Sequence, residues 1–276
     1  MSDLVSTLKS KFDNATVLTD PEDMAKYVTD WHGKLTGKAL AVVRPTNTED
    51  VAAVVKLAFE HGSPIVPQSG NTGVAGGSVP DDSGAAIVLS LERMNKVRDI
   101  SPAAMTMTVE AGCVLEFLHE TVEAQDLFFP LNFGAKGSCM IGGNLATNAG
   151  GQNVVRYGNT RELCLGIEAV LPDGRIVNLL SGLRKDNTGY DLRDLFIGSE
   201  GTLGVITAAT MKLFHLPKAR ATTFAVVPDI TRGLELLNRA QAETGGAVEA
   251  FELIPRVFLE IIQQHATLPE YFAQQG

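Results

Sequence analysis

Short apolar runs alternate with segments whose apolar residues return every three or four positions, the signature of strands exchanging with helices. Residues 39–43 are a continuous run, Ala-Leu-Ala-Val-Val, stopped by Arg44-Pro45, and read as a buried strand. Thr48 then stands as a helix cap before Val51, Val54, Val55 and Ala58, which share one face of a helix over 49–60 that His61-Gly62 ends. A short strand at 64–66 delivers the chain into a glycine-rich loop, 67–78. Strands at 85–89 and 105–109 follow, then an amphipathic helix at 114–124. A second glycine-rich segment, 134–151, precedes a strand at 163–171, which Pro172-Asp173-Gly174 turns back into a partner at 175–180. A short helix around 192–196 leads through Gly198-Ser199-Glu200-Gly201 to a strand over 205–213. Pro217 marks a boundary, beyond which the pattern predicts strand 222–227, helix 230–243, strand 247–253 and helix 256–264. That β-α-β-α run is half of a sheet-and-helix layer, with an edge and an apolar face still to be covered.

The glycine segments carry the candidate chemistry. The first reads Pro67-Gln68-Ser69-Gly70-Asn71-Thr72-Gly73-Val74-Ala75-Gly76-Gly77-Ser78. Its glycines free the backbone for turns and close approach, and successive amides in such a turn form a concave nest for anionic oxygens. The spacing is not G-x-G-x-x-G, and Val79-Pro80 and a strand stand where a Rossmann loop would open into a helix. No Gly-Lys-Ser/Thr follows, which removes a Walker loop. Alone, this loop reads equally as a long turn between strands. The second segment, which includes Gly142-Gly143-Asn144-Leu145-Ala146-Thr147-Asn148-Ala149-Gly150-Gly151, shifts that balance. The two hold ten of the chain's 27 glycines. A glycine among packed elements costs about 1 kcal/mol against alanine, so two such segments in one domain point to a shared, extended ligand.

Composition narrows the field. At 276 residues, 45% hydrophobic and 20% charged, the chain can bury a core without disulfide or metal staples. A net charge of −9 and a pI near 5.1 argue against a nucleic-acid partner and leave any anionic ligand to local donors. Cys113, Cys139 and Cys164 are widely spaced and form no CxxC, which fits a reducing compartment. No run approaches a membrane span, and the start lacks a basic-then-apolar leader pattern, so a soluble, cytoplasmic protein is expected. None of the five histidines has a partner at zinc-site spacing. Cys113 and His119 fall on different helix faces, and Asp191 and Asp194 read as solvated helix charges. Arg156, Arg184 and Lys185 read as surface cations, Tyr27 and Trp31 as packing residues, and Cys139 as a small buried side chain.

Three stretches, taken in order, carry a family resemblance. They are the loop 67–78, Gly134-Ala-Lys-Gly-Ser-Cys139 running into 141–151, and Lys185-Asp-Asn-Thr-Gly-Tyr-Asp-Leu192 followed by Phe196-Ile-Gly-Ser-Glu-Gly-Thr-Leu-Gly204. Together they resemble the FAD-binding domain of the vanillyl-alcohol-oxidase and p-cresol-methylhydroxylase (PCMH) type, over about 39–216. Within that family the wording is most similar to the D-2-hydroxyglutarate dehydrogenases, with D-lactate dehydrogenases and glycolate oxidase flavin subunits as neighbours. The resemblance implies an α+β fold. Residues 1–216 would form a PCMH-type FAD-binding domain of two α+β subdomains with the dinucleotide between them, and 217–276 the beginning of a ferredoxin-like cap. It also implies a site. Gly70, Asn71, Thr72 and Gly73 with Gly77 and Ser78 would form the pyrophosphate cradle, working through backbone amides and the Thr72 hydroxyl, and Pro67 and Val74 would also bind the cofactor. Pro130, Gly137, Ser138, Ile141, Gly142, Gly143, Thr147 and Asn148 would line the flavin and ribityl chain, and Gly201 and Ile206 would close over the adenine.

The activity so implied is oxidation of a D-2-hydroxy acid to the 2-oxo acid, hydride passing from Cα to flavin N5 while a base takes the hydroxyl proton. D-2-hydroxyglutarate is favoured, then D-lactate or glycolate. The acceptor would be an electron-transfer protein or quinone, and a homodimer is compatible. Some family members attach FAD through a histidine in the first loop. This loop has none, so FAD is expected to be noncovalent. In the similar dehydrogenases the base and a zinc-like divalent-metal site of histidines and glutamate lie in the second half of a larger cap. Those motifs are absent here, which leaves the catalytic residues unassigned and suggests the FAD-binding half of a longer chain. Two other readings stand beside this one. One is a noncatalytic flavin-binding subunit or fragment whose open half-cap docks a partner chain. The other, a flavin reductase acting with NADPH on a nucleotide sugar, accounts less well for 134–139 and 185–192.

Overall fold

The computed structural model describes residues 2–265, and the chain divides into two units, Met1–Arg220 and Ala221–Gly276. The first unit opens with helix α1 (Ser2–Lys11) and strands β1 (Val17–Leu18) and β2 (Ala41–Val43). Helix α2 (Thr48–Glu60) and strands β3 (Ile65–Gln68) and β4 (Ile87–Ser90) complete a first subdomain. Its four-stranded sheet has the order β1-β2-β4-β3, with β1 antiparallel and the other three parallel. The apolar stripe of α2 (Val51, Val54, Val55, Leu57, Ala58), with Leu4 and Leu8 of α1, packs in one core with Val43, Ile87 and Leu89. Parallel strands put their C-terminal ends on one edge of the sheet, and from that edge β2 runs into α2 and β3 into the loop 67–78. The helix cap is one residue earlier than expected. Asn47 has the extended backbone a cap requires, and its Oδ1 accepts the Asp50 amide at 2.8 Å. Thr48 is instead the first helical residue and sends its hydroxyl to the buried Glu168.

The second subdomain is a five-stranded antiparallel sheet with helices against it. Its elements are β5 (Val97–Ser101), β6 (Thr106–Glu110), α3 (Leu115–Glu123), β7 (Leu127–Phe128) and α4 (Ile141–Ala146), then β8 (Cys164–Val170), β9 (Ile176–Asn178), β10 (Val205–Lys212) and β11 (Phe214–His215). The order is β5-β6-β10-β8-β9, and β11 pairs separately with β7. β8 is buried along its whole length because it lies between two strands under α2 on one side and the second core on the other. That core gathers Leu115 and Leu118 of α3, Ile141 and Leu145 of α4, Met107, Ile167 and Met211 of the sheet, and Phe129. The β8–β9 turn seats on α2: a methyl on Gly174 (φ +84°) would lie 2.8 Å from the Lys56 Cβ and 3.0 Å from the Ala52 carbonyl oxygen.

A polar knot fixes the segment before β2 beneath the first subdomain. Tyr27, buried, donates to Glu92 Oε1 at 2.5 Å; Arg44 reaches the same oxygen at 3.0 Å, and Lys26 pairs with Oε2 at 3.3 Å. Burial works to raise the Glu92 carboxyl, but the hydrogen bonds of Tyr27 and Arg44 and the Lys26 charge outweigh it and hold it below its ordinary value.

In the second unit, α5 (Ile230–Glu243) starts at Asp229, whose side chain accepts the Arg232 amide at 2.9 Å, and α6 (Arg256–His265) follows. The strands expected at 222–227 and 247–253 are not formed. A strand needs a ladder partner, and among the described residues neither segment has one. Their apolar residues Phe224, Val226 and Leu253 stand exposed.

Phe129 is fully buried and Phe59 is 65% exposed. In urea unfolding, Phe129→Ala is expected to cost about 3–5 kcal/mol and Phe59→Ala less than about 0.5 kcal/mol; similar losses would contradict this core. Because its folded pKa lies below the ordinary 4.5, Glu92 contributes stability that is present above pH 4.5 and lost as pH falls through the folded value. Unfolding curves at falling pH should therefore drop more steeply for the parent than for Glu92→Gln, and parallel curves would remove the knot's role.

Candidate cofactor site

The first glycine loop leaves the buried end of β3 and is closed by its own side chains. Gln68 Nε2 donates to the carbonyls of Tyr27 (2.8 Å) and Ser78 (2.7 Å), so one side chain joins both ends of the loop to the Tyr27 segment. Asn71, with φ +49°, donates to the Thr29 carbonyl at 2.8 Å and accepts the Ser78 hydroxyl at 2.7 Å. The side chains of Gln68, Asn71 and Ser78 are thus spent on holding the loop. Its amides are not: among the described residues, no N–H in 70–78 donates a hydrogen bond. Gly73, Val74 and Gly77 face outward.

The second segment is folded where a loop was expected. The amides of Ser138 and Cys139 donate to the Ala135 carbonyl, Met140 bridges to Val114, and α4 then begins at Ile141. Two glycines make 141–146 a poor helix by propensity. It forms because Ile141 and Leu145 anchor it in the second core. Thr147 closes it with a hydroxyl bond to the Gly143 carbonyl at 3.0 Å, and Asn148 (φ +47°) accepts the Arg161 amide at 2.9 Å. Pro130 is buried, and its carbonyl accepts from Asn153 at 2.7 Å.

These segments converge with a third, 198–204. A methyl on Gly70 would lie 2.2 Å from the Ser138 carbonyl oxygen, and methyls on Gly142 and Gly143 would lie 3.1 and 3.2 Å from side-chain atoms of Ser69. On the other side, a methyl on Gly201 would lie 2.9 Å from the Pro67 ring, and one on Gly77 would lie 3.2 Å from Glu200 Oε2. The third segment is tied to α4 by the Gly198 and Glu200 amides, which donate to the Leu145 and Ala146 carbonyls at 3.0 and 2.9 Å. The first loop therefore sits between the other two, and no bulkier residue than glycine fits at the closest contact.

The expected site residues divide by how they meet this seam. Gly73, Val74, Gly77, Gly137, Ser138 and Thr147 are exposed, while Pro67, Gly70, Asn71, Thr72, Ser78, Gly143, Asn148 and Gly201 are half-buried. Pro130, Ile141, Gly142 and Ile206 are buried, and the Ile141 and Ile206 side chains belong to the core. Ser69, Gln68, Thr29 and Glu200 were not singled out from sequence, yet they hold or flank the loop. Gln68, a polar residue ending an apolar strand, and Glu200, inside the third glycine run, were the available signals.

The three cysteine thiols are held protonated. Burial pushes Cys113 and Cys164 up to about 12. It also raises Cys139, against an opposing pull from the neighbouring Asn144 side chain. Burial lowers His119, whose Nε2 lies 2.8 Å from the Leu131 carbonyl. Arg184 donates to the Met105 and Leu213 carbonyls, so it is a structural cation, and Asp191 and Asp194 pair with Arg193 while their side chains stay solvent-accessible.

A run of open amides, lined by positions with no room for a side chain and lacking lysine or arginine in the loop itself, fits the phosphates and flat rings of a dinucleotide better than a metal. Comparisons with known proteins agree. A model of the FAD binding domain family matches residues 39–180. The mitochondrial D-2-hydroxyglutarate dehydrogenase of Rattus norvegicus is 42% identical over 91% of this chain and 47% of its own length. The D-2-hydroxyglutarate dehydrogenase of Xanthomonas citri pv. viticola is 40% identical over 90% of this chain and 52% of its own. The chain thus spans about half the length of the curated relatives it matches. Among solved structures, alkyldihydroxyacetonephosphate synthase shares the fold with a TM-score of 0.70 at 24% identity, over 79% of this chain and 41% of that one. The grass pollen allergen Phl p 4 shares it with a TM-score of 0.66 at 21% identity, over 78% of this chain and 44% of that one. With the matched region holding both glycine segments, and with relatives above 40% identity along most of its length, the chain belongs to the FAD binding domain family of the vanillyl-alcohol-oxidase and p-cresol-methylhydroxylase type.

Proposed function

We propose that this chain is the FAD-binding half of a flavin-dependent dehydrogenase that oxidises a D-2-hydroxy acid, D-2-hydroxyglutarate before D-lactate or glycolate. The observation that carries the reading is the convergence of the three glycine segments around a run of unpartnered amides, in a chain similar to D-2-hydroxyglutarate dehydrogenases along most of its length. When bound, FAD supplies an acceptor for the hydride on the substrate's Cα. The chain's own residues hold it. The amides of 70–73 and of Gly77 and Ser78 would meet the pyrophosphate, 137–148 would line the flavin side, and Gly201 with the backbone near Ile206 would border the adenine. Asn71 and Ser78 act by shaping the loop, since their side chains are already bonded to each other and to Thr29.

Attachment is noncovalent in this reading. The loop 67–78 has no histidine or cysteine, and the Cys139 thiol beside it is buried and raised. Three free, buried cysteines support a reducing compartment, with the cytoplasm proposed, and no described helix is long and apolar enough to cross a membrane. An electron-transfer protein or quinone is proposed as acceptor, with a homodimer as the assembly. A second reading, a flavin subunit that docks another chain, is favoured by the exposed Phe224, Val226, Val257, Phe258 and Ile261 of the second unit. Light scattering that finds an obligatory complex with a different chain would select it.

The purified chain is expected to take up FAD and to release it into the supernatant on acid precipitation; flavin that stays with the precipitate would overturn noncovalent attachment. Gly73→Ala separates the ligand from the fold, since a methyl there meets nothing within 4 Å. It should leave the melting temperature unchanged yet weaken FAD about tenfold, roughly 1.4 kcal/mol, while Gly134→Ala, equally free of neighbours, changes neither. Equal effects of the two would remove the first loop from the site. In dye-linked assays of the full gene product, D-2-hydroxyglutarate is expected to outpace D-lactate and glycolate, and the opposite order would reassign the substrate.

A further inference from the structure

We infer that a partly buried ionic clasp joining the two subdomains, Arg98 with the buried Glu168, Glu110, Thr48 and Thr207, positions the glycine segments for FAD without touching them; the inference rests on the FAD-binding reading above. Glu168 lies on β8 and Glu110 on β6, and both are less than a tenth exposed. Arg98, on β5, places Nη1 and Nη2 each 3.2 Å from Glu168 Oε1 and Nε 3.3 Å from Glu110 Oε1. The same Glu168 oxygen accepts the Thr207 hydroxyl at 2.9 Å and, from across the subdomain boundary, the Thr48 hydroxyl of α2 at 2.6 Å. The Lys96 amide occupies Glu110 Oε2 at 3.0 Å. Two buried carboxylates facing one guanidinium are costly to desolvate and costlier to unpair, so the geometry is held tightly. Apolar packing alone between α2 and the second sheet tolerates sliding. Directional bonds to one oxygen do not.

From the clasp, a chain of close contacts leads to the cofactor seam. The Thr207 carbonyl accepts the Ala111 amide at 2.9 Å, and the Ala111 carbonyl accepts the Gly142 amide at 2.8 Å. Gly142 in turn has no space for a methyl, which would meet Ala111 Cβ at 2.7 Å and Ser69 Oγ at 3.1 Å. Ser69 precedes Gly70, the residue pressed against the Ser138 carbonyl. A shift at Glu168 therefore displaces Gly142 against Ser69, and the two sides of the seam separate. Thr48 makes the opposite connection. It begins the helix that leaves the same sheet edge as the loop 67–78. None of the five clasp residues belongs to the glycine segments, so their role is positioning.

The test measures FAD dissociation constants on the full chain by fluorescence titration, well below each apoprotein's melting temperature, with far-UV circular dichroism to establish folding. Arg98→Met, folded, is expected to bind FAD about tenfold more weakly. Arg98→Lys keeps a cation between the carboxylates and should stay within about threefold of the parent. Thr48→Val removes only the hydroxyl that crosses the boundary. It should weaken FAD about threefold with little change in melting temperature, and it carries the test should Arg98→Met not fold. A merely structural clasp would lower melting temperatures and leave the affinity of folded variants at the parent value, and that result overturns the inference while sparing the FAD reading. A parent chain that binds no FAD overturns both.

Discussion

The approach of Gly70 to the Ser138 carbonyl is the constraint on which the rest of this structure depends. It brings a loop of the parallel sheet onto a segment of the antiparallel one at a distance that no side chain permits. Everything around it serves that approach. Gln68, Asn71 and Ser78 close the loop on itself and on the Tyr27 segment, and α4 presents Gly142 and Gly143 to Ser69. The Gly201 turn meets Pro67 from the far side. The result is a backbone surface, and a surface of amides is what a net-negative chain needs to hold an anionic ligand without a cluster of cations.

Two cores make that seam possible. The first packs α1 and α2 on the parallel sheet, the second packs α3, α4 and Phe129 on the antiparallel one, and β8 touches both. Polar groups were spent where orientation matters. The Tyr27–Glu92–Arg44 knot secures the segment that receives Asn71, and the Arg98–Glu168 clasp secures α2 against the second sheet.

Elements whose own pattern decides their state were legible in the sequence. The Val51, Val54, Val55, Ala58 stripe is a helix, 230–243 is a helix with the expected bounds, and the 39–43, 163–171 and 205–213 runs contain strands. Elements that depend on a neighbour were not. β5 has Arg98 and Asp99 at its centre and reads as polar, yet it pairs with β6 along an edge. The stretches 222–227 and 247–253 have strand-like composition and no ladder partner, so composition misled. Asn47 and Thr48 are both good caps, and only the backbone distinguishes them. Of the site, the residue types were legible and their meeting was not: Pro67 and Gly201 are far apart in the chain, and glycine carries no mark of what it faces. The carboxylate of Glu168, alone in an otherwise apolar strand, was the one visible sign of the clasp.

Hydrogen–deuterium exchange of the chain with and without FAD tests most directly whether one ligand spans the three segments. Slowed exchange should appear together in 70–78, in 137–144 and in 198–204, saturating at a single FAD concentration, with the buried β8 unchanged. Protection confined to one of those segments, or centred elsewhere in the fold, would contradict a shared site at the seam.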